Sequence, residues 1–509
     1  MKKIANIIIC LFCAVFAQAQ MVGTPYILYN IPNDSEICQD IDTKGTEFWV
    51  TFGRNSGNAV GDVLLLLRIV AGDAAANITL TINGNVLPST IPVAANSIVT
   101  INLADIPNGI GNRKSDVYIY AAGAAGSDKV QKSMRITSTN PVSVYAFNTG
   151  NATSDATILL PVEAWGNDYY RLSATPYNGN SATGFCDVEM IIAREANTII
   201  TLPGGGTQTL QPFDVYYTSS FTDMSGRHIT SNKPVAYFTH TTNTSVPSTR
   251  TYGDILFFQM RSADQWGKEF LVPNAKQRGI NLGYDTIANT LNNIIRIIAS
   301  ENGTTVNYTG AARLTGTGEQ IISPGGTSIA SGGTLNAGQW VELLISNSPS
   351  LGVGACYITS DKPVGVCAYL VGDGNLNTNA FIGDPSIAWI PPLNETVKSA
   401  LIAPFYPPST TIGGGVSHLL YGGSQHFAII IVKKSAKAQT TITNGKTISW
   451  IDPAQTLTYS YGIVKFDNST DTNKTFKIEN PSGVIVMCYG ISQTESYYYN
   501  AGSGACVIN

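Results

Sequence analysis

Three short sequence patterns recur in the same order along the chain, and this repetition limits the fold more than any other feature. The first pattern is a glycine, a spacer, an acidic residue and an aromatic residue that lead into an apolar segment. It occurs at residues 45–50, 165–170 and 266–271, with a degenerate copy at 394–401. Patterns that recur in a fixed order predict a series of similar structural units.

The second pattern is an apolar strand, a short polar turn and an alternating strand that ends in glycine. It is found at residues 65–84, 188–204, 294–310 and 428–445. In the first copy Ile78, Leu80 and Ile82 alternate with threonines, which places them on one face of a strand. Asn83 and Gly84 follow, and both tolerate the positive φ angles of a tight hairpin turn.

The third pattern, Ile-Thr-Ser-x-x-Pro-Val, occurs at residues 136–142, 229–235 and 358–364, with a looser copy at 478–484. Two polar residues before a proline suit a turn. Proline has no N–H and is tolerated where a strand begins but not in its middle. We therefore predict that each copy is a hairpin that closes its unit.

Together the patterns predict an all-β protein of about four tandem antiparallel β-sandwich modules. Units of about 100 to 130 residues with frequent turn signals and no amphipathic helix are typical of β-sandwiches. Polar loops that end in an acidic residue before a new apolar strand mark the predicted boundaries. The predicted organisation is a signal peptide at residues 1–19 and β modules at 20–154, 155–253, 254–383 and 384–509.

Charge and the N-terminal segment restrict the partners and the location. Charged residues make up 13% of the chain and the formal net charge is -4, so no positive field is available to bind nucleic acid or an anionic membrane. Lys2 and Lys3, an apolar run at 7–16 and an Ala-Gln-Ala cleavage site at 17–19 predict a signal peptide and export. No other stretch approaches the roughly 20 apolar residues of a transmembrane helix.

The order of the patterns resembles the N-terminal domain of the IgGFc-binding protein family. The features that carry the resemblance are Gly-Thr-Glu-Phe-Trp-Val at 45–50, the Trp-Gly steps at 165 and 266, and the recurring Thr-Ser-x-x-Pro-Val segments. The similarity extends from about residue 44 nearly to the C-terminus. It implies a secreted or cell-surface β-rich binding protein of a type also found in bacteria, with immunoglobulin Fc or mucin as partners by family name alone.

Six cysteines remain of the eight in the sequence when Cys10 and Cys13, in the signal peptide, are removed (8 − 2 = 6). An even number in an exported chain permits disulfides, although six cysteines allow fifteen pairings. If residues 361 and 362 form a two-residue turn, Cys356 and Cys367 face each other across the third hairpin at a bridgeable distance, and the alternative is two buried thiols. The other candidates are Cys488 with Cys506 and Cys38 with Cys186.

One loop offers oxygen ligands at spacings that calcium accepts. The candidate ligands are Asp373, Asn375, Asn377 and Asp384, although Thr378 stands where a calcium loop usually has glycine. Asn-rich turns more often form local hydrogen bonds than bind ions. Calcium is thus a weak candidate, and we predict no other cofactor.

The sequence contains no motif of nucleophilic catalysis, which needs a positioned histidine beside a serine or cysteine. Glu47, Asp168 and Glu269 occupy equivalent positions in three modules, which predicts a shared structural role and not a glycosidase pair. Trp165 and Trp266 recur at the same step of the repeat, which favours packing over a sugar-stacking surface.

These features predict a secreted or cell-surface binding protein that is not an enzyme. Its expected role is adhesin-like, with an extracellular protein or glycan as ligand. The main alternative is a structural component of a surface layer or fibre. An extracellular enzyme that acts on polysaccharide is less favoured because no catalytic motif supports it.

Overall fold

The computed structural model confirms the all-β class predicted from the sequence. It describes residues 41–150, 153–246, 253–275, 293–313, 326–345, 354–375, 380–382, 384–404, 411–412, 415–416, 425–467, 470–471, 474–491 and 496–505. Residues 37–509 form one compact unit. The sheets are antiparallel except for one short parallel pair, Phe52–Gly53 with Tyr118–Ile119, among the described residues.

The strands fall into four successive sets. The first set is β1 Ile41–Asp42, β2 Gly45–Val50, β3 Phe52–Gly53, β4 Leu64–Ala71, β5 Ala76–Ile82, β6 Asn85–Val86, β7 Ile91–Val93, β8 Ile98–Asn102, β9 Tyr118–Ile119, β10 Gly126–Gln131 and β11 Met134–Gly150. The second set is β12 Thr153–Leu159, β13 Gly166–Tyr170, β14 Asp187–Ala193, β15 Thr198–Thr201, β16 Thr207–Leu210, β17 Asp214–Ser220 and β18 His228–Thr244.

The third set is β19 Asp254–Gln259, β20 Gly267–Pro273, β21 Ile294–Ala299, β22 Thr304–Thr309, β23 Ala311–Arg313, β24 Gly333–Leu335, β25 Trp340–Ile345, β26 Ala355–Leu370, β27 Asp373–Asn375 and β28 Ala380–Ile382. The fourth is β29 Ser386–Trp389, β30 Val397–Ile402, β31 Thr411–Ile412, β32 Gly415–Val416, β33 Gln425–Lys433, β34 Thr441–Ile442, β35 Ser449–Ile451, β36 Tyr459–Phe466, β37 Phe476–Ile491, β38 Ser496–Gly502 and β39 Gly504–Ala505. The described 3-10 helices are Val60–Asp62, Lys114–Asp116, Tyr120–Gly123, Val162–Ala164, Ala263–Gln265 and Lys434–Gln439.

One long strand organises each repeat: β11, β18, β26 or β37. Its first half lies between the opening strand of the repeat (β2, β13, β20 or β30) and the second strand of the predicted strand–turn–strand pattern (β5, β15, β22 or β34). Its second half lies between the apolar first strand of that pattern (β4, β14, β21 or β33) and a strand from further along the chain. That later strand is β12, β19 or β29, each the first of the next set, or β38 in the last repeat. Each repeat is therefore built from two half-sheets that share one strand.

The predicted closing hairpins are wrong, because each Thr-Ser-x-x-Pro-Val segment lies within a continuous long strand. The strand bulges at this point: Thr137 pairs with Glu47, and the next pair is Val142 with Gly45. The same offset recurs in the other three repeats. Pro141 lies inside the bulge, where its missing N–H costs no ladder hydrogen bond. The motif marks a bend between half-sheets and not a chain reversal.

The half-sheet beyond the bend is buried on both faces. Every residue of β4, β14 and β21 is buried, as is every residue of β12, β19, β29 and β38. Strands buried on both faces read as continuous apolar runs, which explains the Leu-Leu-Leu-Leu and Ile-Ile segments of the second pattern. These strands form the centre of the molecule.

The four repeats close into a ring through these buried strands. β12 packs against β19 and β38, and β29 packs against the same two strands, so the first repeat meets the fourth as well as the second. Asp155 at the centre accepts hydrogen bonds from the backbone N–H of Phe257 in the next repeat and from the hydroxyl of Ser386. Burial raises the pKa of Asp155 well above its ordinary value.

Two strand pairings join repeats directly. β10 belongs to the first repeat in sequence, yet it adds an edge strand to the second sheet by pairing with β17 from Gly126↔Ser219 to Gln131↔Asp214. β1 pairs with β39, so the first and last described strands close the ring. The strands that begin at 153, 254 and 386 pair with the long strand of the preceding repeat, and the module boundaries near these residues remain a prediction.

No hydrophobic core of the described residues belongs to a single repeat. One core combines repeats 1, 2 and 4, a second combines repeats 3 and 4, and a third combines repeats 2 and 3. Each repeat therefore buries its apolar surface against its neighbours as well as within itself. This sharing is the physical reason why the ring forms one compact unit.

Candidate ligand-binding groove

The acidic residue of the opening strand has the same role in three repeats. Its carboxylate forms a hydrogen bond with a side chain in the first half of the long strand. That side chain comes two residues before the residue that pairs with the acidic residue in the sheet. The pairs are Glu47 with Arg135 (2.8 Å), Asp168 with His228 (2.7 Å) and Glu269 with Tyr357. The three carboxylates thus have separate local partners in separate repeats and do not flank a common cleft.

At the junction of repeats 1 and 2, the first of these pairs borders a cavity of about 350 Å³. We call this cavity the junction groove. It lies beside the point where the chain passes from β10, in the second sheet, to β11, in the first. Its lining residues are Glu47, Trp49, Arg135, Arg194, Pro212 and Phe213.

The side of the groove that belongs to repeat 1 is a hydrogen-bonded triad. Glu47 accepts hydrogen bonds from the Arg135 guanidinium (2.8 Å) and from the Trp49 indole N–H (3.0 Å). Burial alone would raise the pKa of Glu47, but these hydrogen bonds and the positive charges of Arg135 and Arg194 lower it overall. Glu47 is therefore an anion that fixes one arginine and one indole in place.

The side that belongs to repeat 2 is built on a strained residue, Phe213. Its ring packs on Trp49 with centroids 4.6 Å apart, and its backbone φ is 72°. Phe213 lies in the turn that leads into β17, and the equivalent strands of repeats 1 and 3 are β8 and β25. The residues at the same position in their turns are Asn96 (φ 53°) and Gly338 (φ 77°). Asn and Gly tolerate the left-handed region, whereas a bulky side chain there is an outlier. Repeat 2 thus holds an aromatic residue at a position where repeats 1 and 3 have residues that adopt this backbone conformation without strain.

The equivalent space at the next junction is closed. The backbones of Gly226 and Gly338 meet there so closely that a Cβ atom on Gly226 would lie 2.6 Å from the Gly338 oxygen. At the junction of repeats 4 and 1, Lys477 forms an ion pair with Asp73 (3.2 Å). The same position in the repeat is therefore filled by backbone packing at the junction of repeats 2 and 3 and by an ion pair at the junction of repeats 4 and 1. At the junction of repeats 1 and 2 it is an open groove.

Two arginines line the groove, and each has a glutamate beside it, Glu47 for Arg135 and Glu195 for Arg194. The side chains of Arg135 and Arg194 are 40% and 39% exposed, and Glu47 is the one acidic lining residue. Arg194 is 3.7 Å from Glu195, too far for a hydrogen bond. The Nε atom of Arg135 is buried and has no hydrogen-bond partner among the described residues. Two arginines beside the apolar residues Pro212 and Phe213, which we call the floor of the groove, suit an anionic group attached to an apolar surface.

The histidines of the described residues do not form a metal site. His228 stacks on Tyr170 (4.1 Å) beside Asp168, whereas His240 is buried with Nε2 2.8 Å from the Arg54 carbonyl oxygen. His426 bonds the hydroxyl of Tyr497 (2.8 Å). No cluster of three metal-ligating side chains exists in the part of the chain that the structure describes.

Both repeat tryptophans are packed, as the sequence interpretation requires. Trp165 and Trp266 are 6% and 2% exposed. Each indole N–H donates to the backbone carbonyl five residues earlier, at Leu160 and Arg261. Neither offers a face to a ligand.

The predicted Cys356–Cys367 disulfide is wrong. The two residues lie near opposite ends of the same 16-residue strand, β26, because the hairpin that would bring them together does not exist. Both are buried free thiols, and burial raises the pKa of each. Cys186 and Cys488 are also buried free thiols. Their suggested partners Cys38 and Cys506 lie outside the described residues.

The candidate calcium loop is a hairpin in which β27 pairs with β28, Asp373 opposite Ile382 and Asn375 opposite Ala380. Asn377 lies outside the described residues. Asp384 is buried, which raises its pKa to about 8, and its backbone N–H donates to Ser496. The calcium site remains a prediction.

Arg135, Arg194 and Phe213 were not among the candidate residues of the sequence. Glu47 stood in the first pattern and was interpreted as structural, and Trp49 stood in the same pattern without a role assigned to it. The signal that would have identified Phe213 is the turn before β17, because Asn96 and Gly338 occupy the same position before β8 and β25. Arg194 carries no such signal, because its place in the groove depends on contact with residues of another repeat.

No helix among the described residues is long and apolar enough to cross a membrane.

The family model described as IgGFc binding protein matches residues 155–490. It begins later than the similarity inferred from the sequence, and the first repeat, with the same strand pairing, precedes it. The IgGFc-binding protein of Homo sapiens is 23% identical over 402 residues, which cover 75% of this chain and 6% of that protein. The chain thus spans a small part of the length of that relative, and it belongs to the IgGFc-binding protein family.

Proposed function

We propose that this chain is an extracellular, adhesin-like binding protein that holds a host glycoprotein or glycan in the junction groove. Family membership supports a binding role, and the predicted signal peptide, residues 1–19, supports export. The ring supports the proposal as well, because its shared cores fix the walls of the groove before a ligand arrives. We propose no enzymatic activity, since the three repeated carboxylates have separate structural partners.

The observation that carries the proposal is the conformation of Phe213. A residue of this size in the left-handed region costs of order 1–3 kcal/mol and persists where its side chain is needed. Part of that need is packing on Trp49. The other part, we propose, is the apolar floor of the groove, since Asn or Gly would relieve the strain and abolish the floor.

The test is binding by the mature protein, residues 20–509, to an array of immunoglobulin G, its Fc fragment, mucins and defined glycans. Saturable binding to one class is expected, and Phe213→Asn and Arg194→Gln should each weaken it. A control variant, Lys434→Gln, also removes one cation, and Lys434 is 43% exposed in repeat 4.

Two results would contradict the proposal. Binding that the Phe213 and Arg194 variants leave unchanged would place the ligand elsewhere on the ring. Silence across the whole array would favour the structural role in a surface layer or fibre, and self-association at high concentration would then be the observation to seek.

A further inference from the structure

We infer that the junction groove recognises an acidic sugar, in the form of a carboxylate on a terminal sialic or uronic acid residue of a glycan. The inference rests on the proposed function and specifies its ligand. It follows from the two arginines, the apolar residues and the dimensions of the groove.

The two guanidinium groups supply the anion specificity. Arginine presents N–H donors in a planar fork that matches a carboxylate. Arg135 has one of its terminal nitrogens committed to Glu47, and this bond fixes the plane of the guanidinium. Arg194 forms an ion pair with Glu195 at 3.7 Å, which is beyond hydrogen-bond distance, so its N–H donors can still bind a ligand. A carboxylate between the two arginines would be attracted by both.

The floor and the volume favour a sugar over the tip of an acidic protein side chain. Pro212 and Phe213 present flat apolar surfaces, which suit the C–H face of a sugar ring. The cavity of about 350 Å³ lies at the lower end of small-molecule sites, which have volumes of about 300–1,000 Å³. An isolated Asp or Glu carboxyl would fill little of it.

The charge of the whole protein points the same way. The formal net charge is -4, so long-range attraction of a strongly acidic protein is not expected. Attraction of an anion must instead come from Arg135 and Arg194 in the groove itself. Local charge on a neutral polar surface suits a ligand that carries one anionic group on an otherwise neutral glycan.

The experiment compares matched ligands by titration calorimetry on the mature protein. The probes are 3′-sialyllactose, its carboxyl methyl ester, lactose and a glucuronate-terminated tetrasaccharide. We expect at least one acid to bind, and we expect the ester and lactose to bind about ten-fold or more weakly, because a charge-assisted hydrogen bond is lost. Arg194→Gln should weaken the acid by a similar factor and leave the ester unchanged, while Lys434→Gln should alter neither.

Three outcomes would overturn the inference. If the acid and the ester bind alike while the groove variants still abolish glycoprotein binding, the proposed function stands and the acidic sugar is wrong. If neither acid binds but a glutamate-rich peptide does, and Arg194→Gln weakens it, the partner is an acidic protein segment. If the acid binds but Arg194→Gln and Phe213→Asn leave its affinity unchanged, the groove is not the binding site. The proposed function and the acidic-sugar inference are then both wrong.

Discussion

At the scale of single residues, the strain at Phe213 can be separated from its packing. Phe213→Asn removes the ring from Trp49 but restores a side chain that accepts φ near 72°, as Asn96 does. The two effects are of similar size, so we expect the free energy of unfolding to change by less than about 1 kcal/mol. Phe213→Ala loses the packing without the local hydrogen bonding that helps asparagine in this region, and it should be about 1 kcal/mol less stable than Phe213→Asn. Urea unfolding of both variants checks the order, and equal stabilities would show that the backbone there is not strained.

A second residue-scale prediction concerns His240 and pH. Burial lowers the pKa of His240 to about 4, whereas an unfolded histidine titrates near 6.5. Between these values the unfolded chain binds a proton that the folded protein does not, so stability is complete above pH 6.5 and falls as the pH drops toward 4. The loss from this residue at pH 5 is about 2 kcal/mol.

Other buried groups titrate in the same range, so a difference measurement isolates His240. Asp384 acts in the opposite direction, because its pKa in the folded protein is raised to about 8. As the pH falls below 8, the folded protein binds a proton there before the unfolded chain does, and this favours the folded state. His240→Gln stays neutral at every pH. The stability of wild type relative to His240→Gln, measured by urea unfolding at pH 7, 6 and 5, should decline with pH, and parallel curves would contradict the lowered pKa.

At the scale of elements, one buried arginine joins repeats 2 and 3. Arg296 on β21 bonds Glu342 of its own sheet and Asp223 of repeat 2, each at 2.9 Å, and lies 4.0 Å from the Trp340 ring. Arg296→Met leaves two carboxylates without their cation in a buried site. We expect a loss of about 3–5 kcal/mol in unfolding free energy.

The control is a variant in which the whole cluster is neutral. Arg296→Met combined with Asp223→Asn and Glu342→Gln should recover much of the stability, since the cost comes from uncompensated charge and not from missing contacts. Exposed Arg194→Gln should stay within about 0.5 kcal/mol of wild type. A triple variant as unstable as the single one would show that Arg296 stabilises the junction by packing.

The strands themselves were largely predictable, and their long-range pairing was not. Alternation at Ile78, Leu80 and Ile82 correctly indicated β5, and the four apolar runs correctly indicated the buried strands. The proline segments were misinterpreted because a turn and a bulge use the same residues, and only the partner strand distinguishes them. Ser138 illustrates this, since its hydroxyl bonds the Asn140 carbonyl (2.6 Å) as in a turn while the strand continues.

The groove escaped prediction for a related reason. Its halves come from residues 47–135 and 194–213, which belong to different repeats. They meet at the junction that β10 also spans by pairing with β17. A repeat pattern read along the chain assigns each residue to one unit. It contains no information about an exchange between units, so Glu47 and Trp49 could be placed on a strand but not beside Arg194.

At the scale of the whole molecule, the pairing of β1 with β39 should stabilise all four repeats together. Ile41 pairs with Ala505 and Asp42 with Gly504, and Lys44 reaches the Ser399 carbonyl of repeat 4 (3.3 Å). The cores that cross repeat boundaries couple this closure to the rest of the ring. A variant that begins at Gly45 should therefore still unfold in a single transition, but about 1–2 kcal/mol below a variant that begins at Ile41, since only a few hydrogen bonds are lost.

The number of transitions is the more informative observable. Repeats that fold independently would lose stability only at the junction of repeats 4 and 1, and calorimetry would show that junction melting before the others. Repeats that share their cores cannot separate in this way, because opening one junction exposes apolar surface on both neighbours. Hydrogen exchange should accordingly show that truncation to Gly45 reduces protection in β21 and β26, across the ring from the missing strand, as well as in β39. Loss of protection confined to β39 would mean that the repeats fold independently and are not coupled through their shared cores.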